Sequence, residues 1–174
     1  STLLNALLGE DRAIVSDIHG TTRDTIEETL NIDGILFRFI DTAGLRETSE
    51  VVEQIGIERT FKKISEASVV LGMVDLTRDI DTTRETVLDI ISKIDFNCQK
   101  LVLLLNKTDI FDDNKNVSTK NYIVSLLENK GITSECVIPI SAKTGNGIPE
   151  LKSLLSKTQK DLLCDCDTTL VTNQ

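Results

Sequence analysis

The strongest constraint in this chain is an arrangement that occurs twice: an apolar run that ends in a short polar motif. Ile35-Leu36-Phe37-Arg38-Phe39-Ile40 runs into Asp41-Thr42-Ala43-Gly44, and Leu101-Val102-Leu103-Leu104-Leu105 runs into Asn106-Lys107-Thr108-Asp109. Short apolar runs bounded by polar residues read as buried strands. In an open α/β sheet, ligands bind beyond the C-terminal tips of the strands, so each motif stands where a ligand would be met. At the first tip, the Asp41 carboxylate can hold a magnesium ion through water, and the Gly44 N–H can reach a terminal phosphate. Chance easily supplies D-x-x-G alone. The second tip gives it weight.

Asp109 has a specific task in an N-K-x-D loop. Its two oxygens can accept from the ring N–H and the exocyclic amine of guanine. Adenine offers no donors on that edge and would leave the carboxylate unpaired, a loss that discriminates by about 10⁴-fold or more at buried polar sites. Asn106 would brace the loop and touch the base, while the stem of Lys107 covers one face of the ring. The competing reading is a solvated turn with a helix cap, which the preceding strand disfavours. Ser141-Ala142-Lys143 corroborates the first reading, because it stands one helix and one strand further on. There the Ala142 N–H would meet the guanine carbonyl oxygen. Phosphate chemistry at one tip and base chemistry at the next imply a guanine-nucleotide switch.

The rest of the chain alternates helix and strand. Ser1 to Gly9 has helical spacing and a terminal glycine. Ser1 suits the last residue of a Walker A motif, G-x-x-x-x-G-K-[ST], with the phosphate cradle and the strand before it lying upstream. Glu10 to Asp24 is a long polar loop. It carries Thr22, the candidate direct magnesium ligand that a γ-phosphate would order and its loss release. Strands near Ile26–Ile32 and Ile35–Ile40 flank Asp33-Gly34, a strong hairpin signal. A helix is expected over Glu53–Ser65, a buried strand over Val69–Val74 and a helix over Thr83–Ile94. A charged loop is expected over Phe111–Asn116, a helix over Ser118–Lys130, a last strand over Cys136–Ile140, and a last helix over Gly147–Lys160 with Pro149 in its first turn. The pattern predicts an α/β P-loop GTPase (Ras-like) three-layer fold, its sheet mostly parallel with one antiparallel edge strand. The first strand and the P-loop would be missing from this chain. Weak nucleotide binding and poor stability are then expected of it.

Bulk properties set the outer bounds. A chain of 174 residues with 40% hydrophobic and 27% charged residues suits one domain with a core. No apolar run approaches the ~20 residues of a membrane span. The net charge of −9 argues against gripping nucleic-acid phosphates unaided. Cys98, Cys136, Cys164 and Cys166 have irregular spacing, and no histidine stands near the C-x-C pair, so they read as reduced thiols rather than a zinc site.

Ras-like switches place a water-orienting Gln after the D-x-x-G glycine, whereas Leu45 stands there and cannot polarise water. Arg46, Glu47, Glu50 and Glu53 are the candidates to replace it, and the residues alone do not choose among them. Here a resemblance enters. Asp17-Ile18-His19-Gly20-Thr21-Thr22-Arg23-Asp24, Asp41 to Glu47, and Val52-Glu53-Gln54-Ile55-Gly56-Ile57-Glu58-Arg59 resemble the G domain of the MnmE (TrmE) family of tRNA-modification GTPases. The likeness covers 1–160. G-T-T-R-D and D-T-A-G are shared with the ribosome-assembly GTPase Der, whereas the stretch around Val52 is particular to MnmE.

The resemblance implies a cytoplasmic GTPase that binds GTP/GDP and uses Mg2+ held by Ser1, Thr22 and Asp41. It implies K+ on the backbone carbonyls of Ser16, Ile18 and Thr21, with Glu53 orienting the attacking water through a second water. It implies a homodimer through G domains, a MnmG-like flavoprotein partner, and tRNA bound by other domains or by that partner for wobble-uridine modification. His19 departs from the family pattern and reads as a surface side chain. Cys164 and Cys166 do not match the family's C-terminal cysteine motif, and 161–174 resembles the start of a linker into a helical domain. The alternatives are a ribosome-assembly GTPase of the Der or Era kind, and a binding module that does not hydrolyse GTP, as Leu45 suggests.

Overall fold

The computed structural model describes residues 2–9, 26–41 and 61–170. Helix α1 spans Thr2–Leu8 and buries Leu4 and Leu7. Strands β1 (Ile26–Ile32) and β2 (Ile35–Asp41) pair antiparallel, from Ile26 opposite Asp41 to Ile32 opposite Ile35. The turn between them needs positive φ at both central residues. Asp33 has φ 51° and Gly34 φ 82°, and the Gly34 N–H donates to Asn31 Oδ1 at 2.9 Å. The hairpin is where Asp33-Gly34 predicts it.

A helical segment described over 61–66 (α2) leads into β3 (Val69–Asp75), then α3 (Ile80–Ser92) and β4 (Lys100–Asn106). Helix α4 spans Asp113–Glu128, a short 3₁₀ turn spans Ser134–Cys136, β5 is Val137–Pro139, and α5 runs Ile148–Leu170. Strands β3, β4 and β5 form a parallel sheet with β4 central. This is an α/β fold, with an antiparallel two-stranded ribbon beside a parallel sheet.

The apolar run of β4 explains the layers. A strand covered on both faces reads as a continuous hydrophobic run, and Leu101 to Leu105 are all buried. Val102 and Leu104 join one core with Leu7, Leu30, Ile138, Leu151 and Leu155, contributed by α1, β1, the β5 region and α5. Leu103 and Leu105 join the other with Val87, Ile123 and Leu127 from α3 and α4. Each fully buried leucine contributes about 1.5–3 kcal/mol relative to exposure.

Several boundaries differ from expectation. Helix α3 begins at Ile80 because the Asp79 carboxylate accepts from the Thr82 N–H at 2.8 Å, an N-cap earlier than the expected Thr83. Helix α4 takes in most of the expected Phe111–Asn116 loop, since Asp112 caps it through the Lys115 N–H at 2.9 Å. Strand β5 is shorter than Cys136–Ile140, because Cys136 closes the 3₁₀ turn instead. Helix α5 passes the expected end at Lys160 and continues to Leu170, with Pro149 in its first turn. Strand β3, expected to be buried, is only partly so: Met73 is 40% exposed. Its one hydrogen-bonded neighbour among the described residues is β4, and no ladder joins it to β2.

Candidate guanine-nucleotide site

Parallel pairing brings Asp75 opposite Asn106, so β3 and β4 end side by side. The backbone leaves β4 in a strained turn, with Lys107 at φ 73°, a conformation that L-residues adopt rarely. The Lys107 ammonium pairs with Asp75 Oδ2 at 2.8 Å. Asp75 Oδ1 accepts from the backbone N–H and the hydroxyl of Thr77, at 2.9 and 2.6 Å. Partial burial pushes the Asp75 carboxyl upward, but the bonds from Lys107 and Thr77 outweigh it and bring it down to about 2.

The N-K-x-D loop is tied to the loop after β5 at three places. Asn106 Oδ1 accepts from the Ala142 N–H at 3.0 Å, and its Nδ2 donates to Met73 Sδ at 3.6 Å. Thr108 donates to the Ile140 carbonyl from its N–H and its hydroxyl, at 3.2 and 3.0 Å. The Ser141 hydroxyl donates to Asp109 Oδ1 at 2.7 Å. That bond, with the charges of Lys143 and Lys107 adding to it, holds the Asp109 carboxyl below its ordinary range despite slight desolvation.

These ties distribute tasks among the expected residues. Ser141 is fully buried and also accepts the Thr144 N–H at 3.2 Å, so its hydroxyl positions Asp109 from behind. Asp109 is exposed, and two oxygens with four lone-pair sites leave capacity beyond the Ser141 bond for two ring donors. The Ala142 N–H is committed to Asn106, so contact with a guanine carbonyl would share that hydrogen. Lys107 points its charge to Asp75, which leaves its apolar stem to cover a ring. Lys143 is exposed beside Asp109.

The loop after β5 closes on itself through the Ser141 N–H to the Asn146 carbonyl and the Gly145 N–H to the Ser141 carbonyl, both at 2.9 Å. Gly147 stands at φ 78° where a Cβ would collide with the Pro139 carbonyl oxygen. Only glycine fits there.

The phosphate-side expectations fall elsewhere. Asp41 ends β2 at the expected strand tip, described by its backbone. Ser1, Ser16, Ile18, Thr21, Thr22, Gly44 and Glu53 lie outside the described residues, as do His19, Leu45, Arg46, Glu47 and Glu50. Among the described residues no cluster of His, Cys, Asp and Glu has metal-ligand geometry, and no helix is long and apolar enough to cross a membrane. Cys98 and Cys136 are free thiols.

Three residues escaped the sequence reading. Asp75 ends its apolar run as Asp41 and Asn106 end theirs, a signal that could have marked it. Asn116 donates to the Thr108 and Phe111 carbonyls at 2.9 and 3.3 Å, with no local pattern to announce it. Gln99, 4% exposed, donates to the carbonyls of Ile64 and Ala67 and accepts from the Asp95 N–H, tying the end of α2 to the start of β4.

Comparison with known proteins bears on the family and the fold. A family model described as 50S ribosome-binding GTPase matches residues 1–107. The tRNA modification GTPase MnmE of Porphyromonas gingivalis is 48% identical over 159 residues, 90% of this chain and 32% of the relative. That of Christiangramia forsetii is 46% identical over 181 residues, 99% of this chain and 37% of the relative. The chain thus spans about a third of the length of the curated relatives it matches. A variant of Era from Aquifex aeolicus, solved bound to GDP and AlF4-, has a TM-score of 0.65 at 29% identity, covering 90% of this chain and 52% of that one. The elongation factor SelB of Methanococcus maripaludis shares the fold at TM-score 0.59 and 20% identity, covering 91% of this chain and 30% of that one. A family model matched over more than half of the chain, relatives alike along nearly all of it and a shared fold place this protein in the 50S ribosome-binding GTPase family.

Proposed function

We propose that the chain is the GTP-hydrolysing switch domain of a tRNA-modification protein of the MnmE kind. The observation that carries the guanine part is the coupling of the two loops, with Ser141 on Asp109 and Asn106 on Ala142. It presets a carboxylate for the donor edge of guanine before any ligand arrives. Relatives named tRNA modification GTPase MnmE, 46–48% identical over most of the chain, support the tRNA part.

Within this reading, Asp109 accepts from the base, Asn106 and Ala142 meet its other edge, and Lys107 covers a face. Ser1, Thr22 and Asp41 would hold a magnesium ion, which would neutralise charge on the phosphates, and the Gly44 N–H would donate to the γ-phosphate. The backbone carbonyls of Ser16, Ile18 and Thr21 would hold a potassium ion. Both ions would offset charge developing on the phosphates. Glu53 orients the attacking water in place of the Gln that Leu45 displaces. Pairing of two G domains orders these loops and activates hydrolysis in the cytoplasm. A MnmG-like flavoprotein and tRNA engage other parts of the protein.

The test is GTP turnover by the full-length protein in potassium against sodium, for wild type and Glu53→Ala. Potassium-dependent turnover that falls at least about 10²-fold in the variant supports the reading. Turnover indifferent to both moves the assignment to another GTPase branch, and no turnover at all leaves a nucleotide-binding module. One observation favours the ribosome-assembly alternative: Era, in a structure with MgGDPNP and 16S ribosomal RNA, matches 90% of this chain at TM-score 0.66. Its 29% identity is well below the 48% of the MnmE relative.

A further inference from the structure

The amide of Asn116 is the one buried side-chain group among the described residues with an atom lacking a hydrogen-bond partner: its Oδ1 is orphaned. The amide cannot be turned over to cure this, because Nδ2 faces two carbonyl oxygens, those of Thr108 at 2.9 Å and Phe111 at 3.3 Å. An exchange of O and N would set oxygen against oxygen. An apolar side chain would carry no orphaned oxygen but would deprive the Thr108 and Phe111 carbonyls of their donor, so the value of asparagine here lies in its two N–H groups.

Those donors act on the loop that holds Asp109. The Thr108 carbonyl belongs to the same planar peptide unit as the Asp109 N–H, so holding it fixes the plane from which the Asp109 side chain departs. On its other side, Thr108 is pinned to the Ile140 carbonyl through its N–H and hydroxyl. The Phe111 carbonyl lies at the loop's exit, one residue before the Asp112 cap of α4. Asn116 itself is fixed in the first turns of α4, with its N–H on the Asp112 carbonyl at 3.1 Å. Ser141 sets where the carboxylate points, and Asn116 sets where its backbone stands.

We propose that Asn116 is a positioning residue for guanine selectivity, holding the Thr108–Asp109 peptide so that Asp109 meets the exocyclic amine of the base. The proposal rests on the guanine-binding reading of the site. Its signature is selective: inosine nucleotides keep the ring N–H but lack the exocyclic amine. A displaced Asp109 therefore loses more with GDP than with IDP.

The experiment measures GDP, IDP and ADP affinities of the full-length protein by displacement of a fluorescent GDP analogue. Wild type is compared with Asn116→Asp, which keeps the shape and removes both donors, and with Asn116→Ala. We expect the wild-type preference for GDP over IDP to shrink by about fivefold or more in both variants, as a misplaced hydrogen-bonding group predicts. Equal weakening of GDP and IDP, or no change, overturns the positioning role. A protein that folds with neither substitution makes Asn116 a stability residue and also overturns it. A wild type that binds ADP as well as GDP instead sinks the guanine reading beneath it, an outcome the variants cannot imitate.

Discussion

At the scale of single residues, the site is a set of polar groups that fix one another before a ligand binds. The Asp75–Lys107 pair shows this and how it responds to pH. The folded Asp75 pKa of about 2 lies below the ordinary 3.8, so the folded state favours the carboxylate. The stabilisation is therefore present above about pH 4 and is lost as pH falls through about 2. With side chains 31% and 44% exposed, solvent screening limits the pair to about 0.2–1 kcal/mol. Urea titrations should show Asp75→Asn less stable than wild type at pH 7, with the gap closing by pH 2. A gap unchanged across that range would mean that the carboxylate's charge is irrelevant. Gly147→Ala is expected to be costlier. A left-handed alanine costs about 1–2 kcal/mol, and its Cβ must also push back the Pro139 carbonyl at the base of the Ser141 loop. Both stability in urea and GDP affinity should fall; a variant with unchanged affinity would show that the loop tolerates the shift.

At the scale of elements, caps decided what periodicity left open. The charged stretch before Val117 reads as a loop because its apolar residues are sparse, yet Asp112 starts a helix there by satisfying the Lys115 N–H. That earlier start brings Asn116 beneath the N-K-x-D loop. Gln99 is a comparable device in an unpatterned connection, joining the end of α2 to the segment entering β4. Gln99→Leu keeps the volume approximately and strands the Asp95 N–H and the Ala67 carbonyl. It should cost about 1–3 kcal/mol by chemical denaturation. A loss below about 0.5 kcal/mol would show that water replaces the amide.

At the scale of the molecule, the hairpin β1–β2 and the sheet β3–β4–β5 share one apolar core without a hydrogen-bond ladder between them among the described residues. Leu30 and Ile32 bury against Val102, Leu104 and Ile138, so side-chain packing holds the hairpin. Units joined by packing open separately at lower free energy than the ladder at the centre of a sheet. Hydrogen exchange should find the Leu103 and Leu104 amides of β4 opening only with global unfolding, and the hairpin amides earlier. Simultaneous exchange of both would mean one cooperative unit.

The chain itself determined the elements, their alternation and the identity of the residues at the strand tips. Apolar runs, a hairpin dipeptide and polar motifs are local signals whose meaning survives without knowledge of the fold. The N-K-x-D loop was legible for that reason: Asn106, Lys107 and Asp109 fall within four consecutive positions of one turn. What only the tertiary structure decided is which groups hold them. The ties from Lys107 to Asp75, from Thr108 to Ile140 and from Ser141 to Asp109 each span 32 residues. They arise because parallel strands with crossover helices bring their C-terminal ends to one side. No local pattern encodes that adjacency, so the partners of the N-K-x-D loop became visible only once the sheet was assembled.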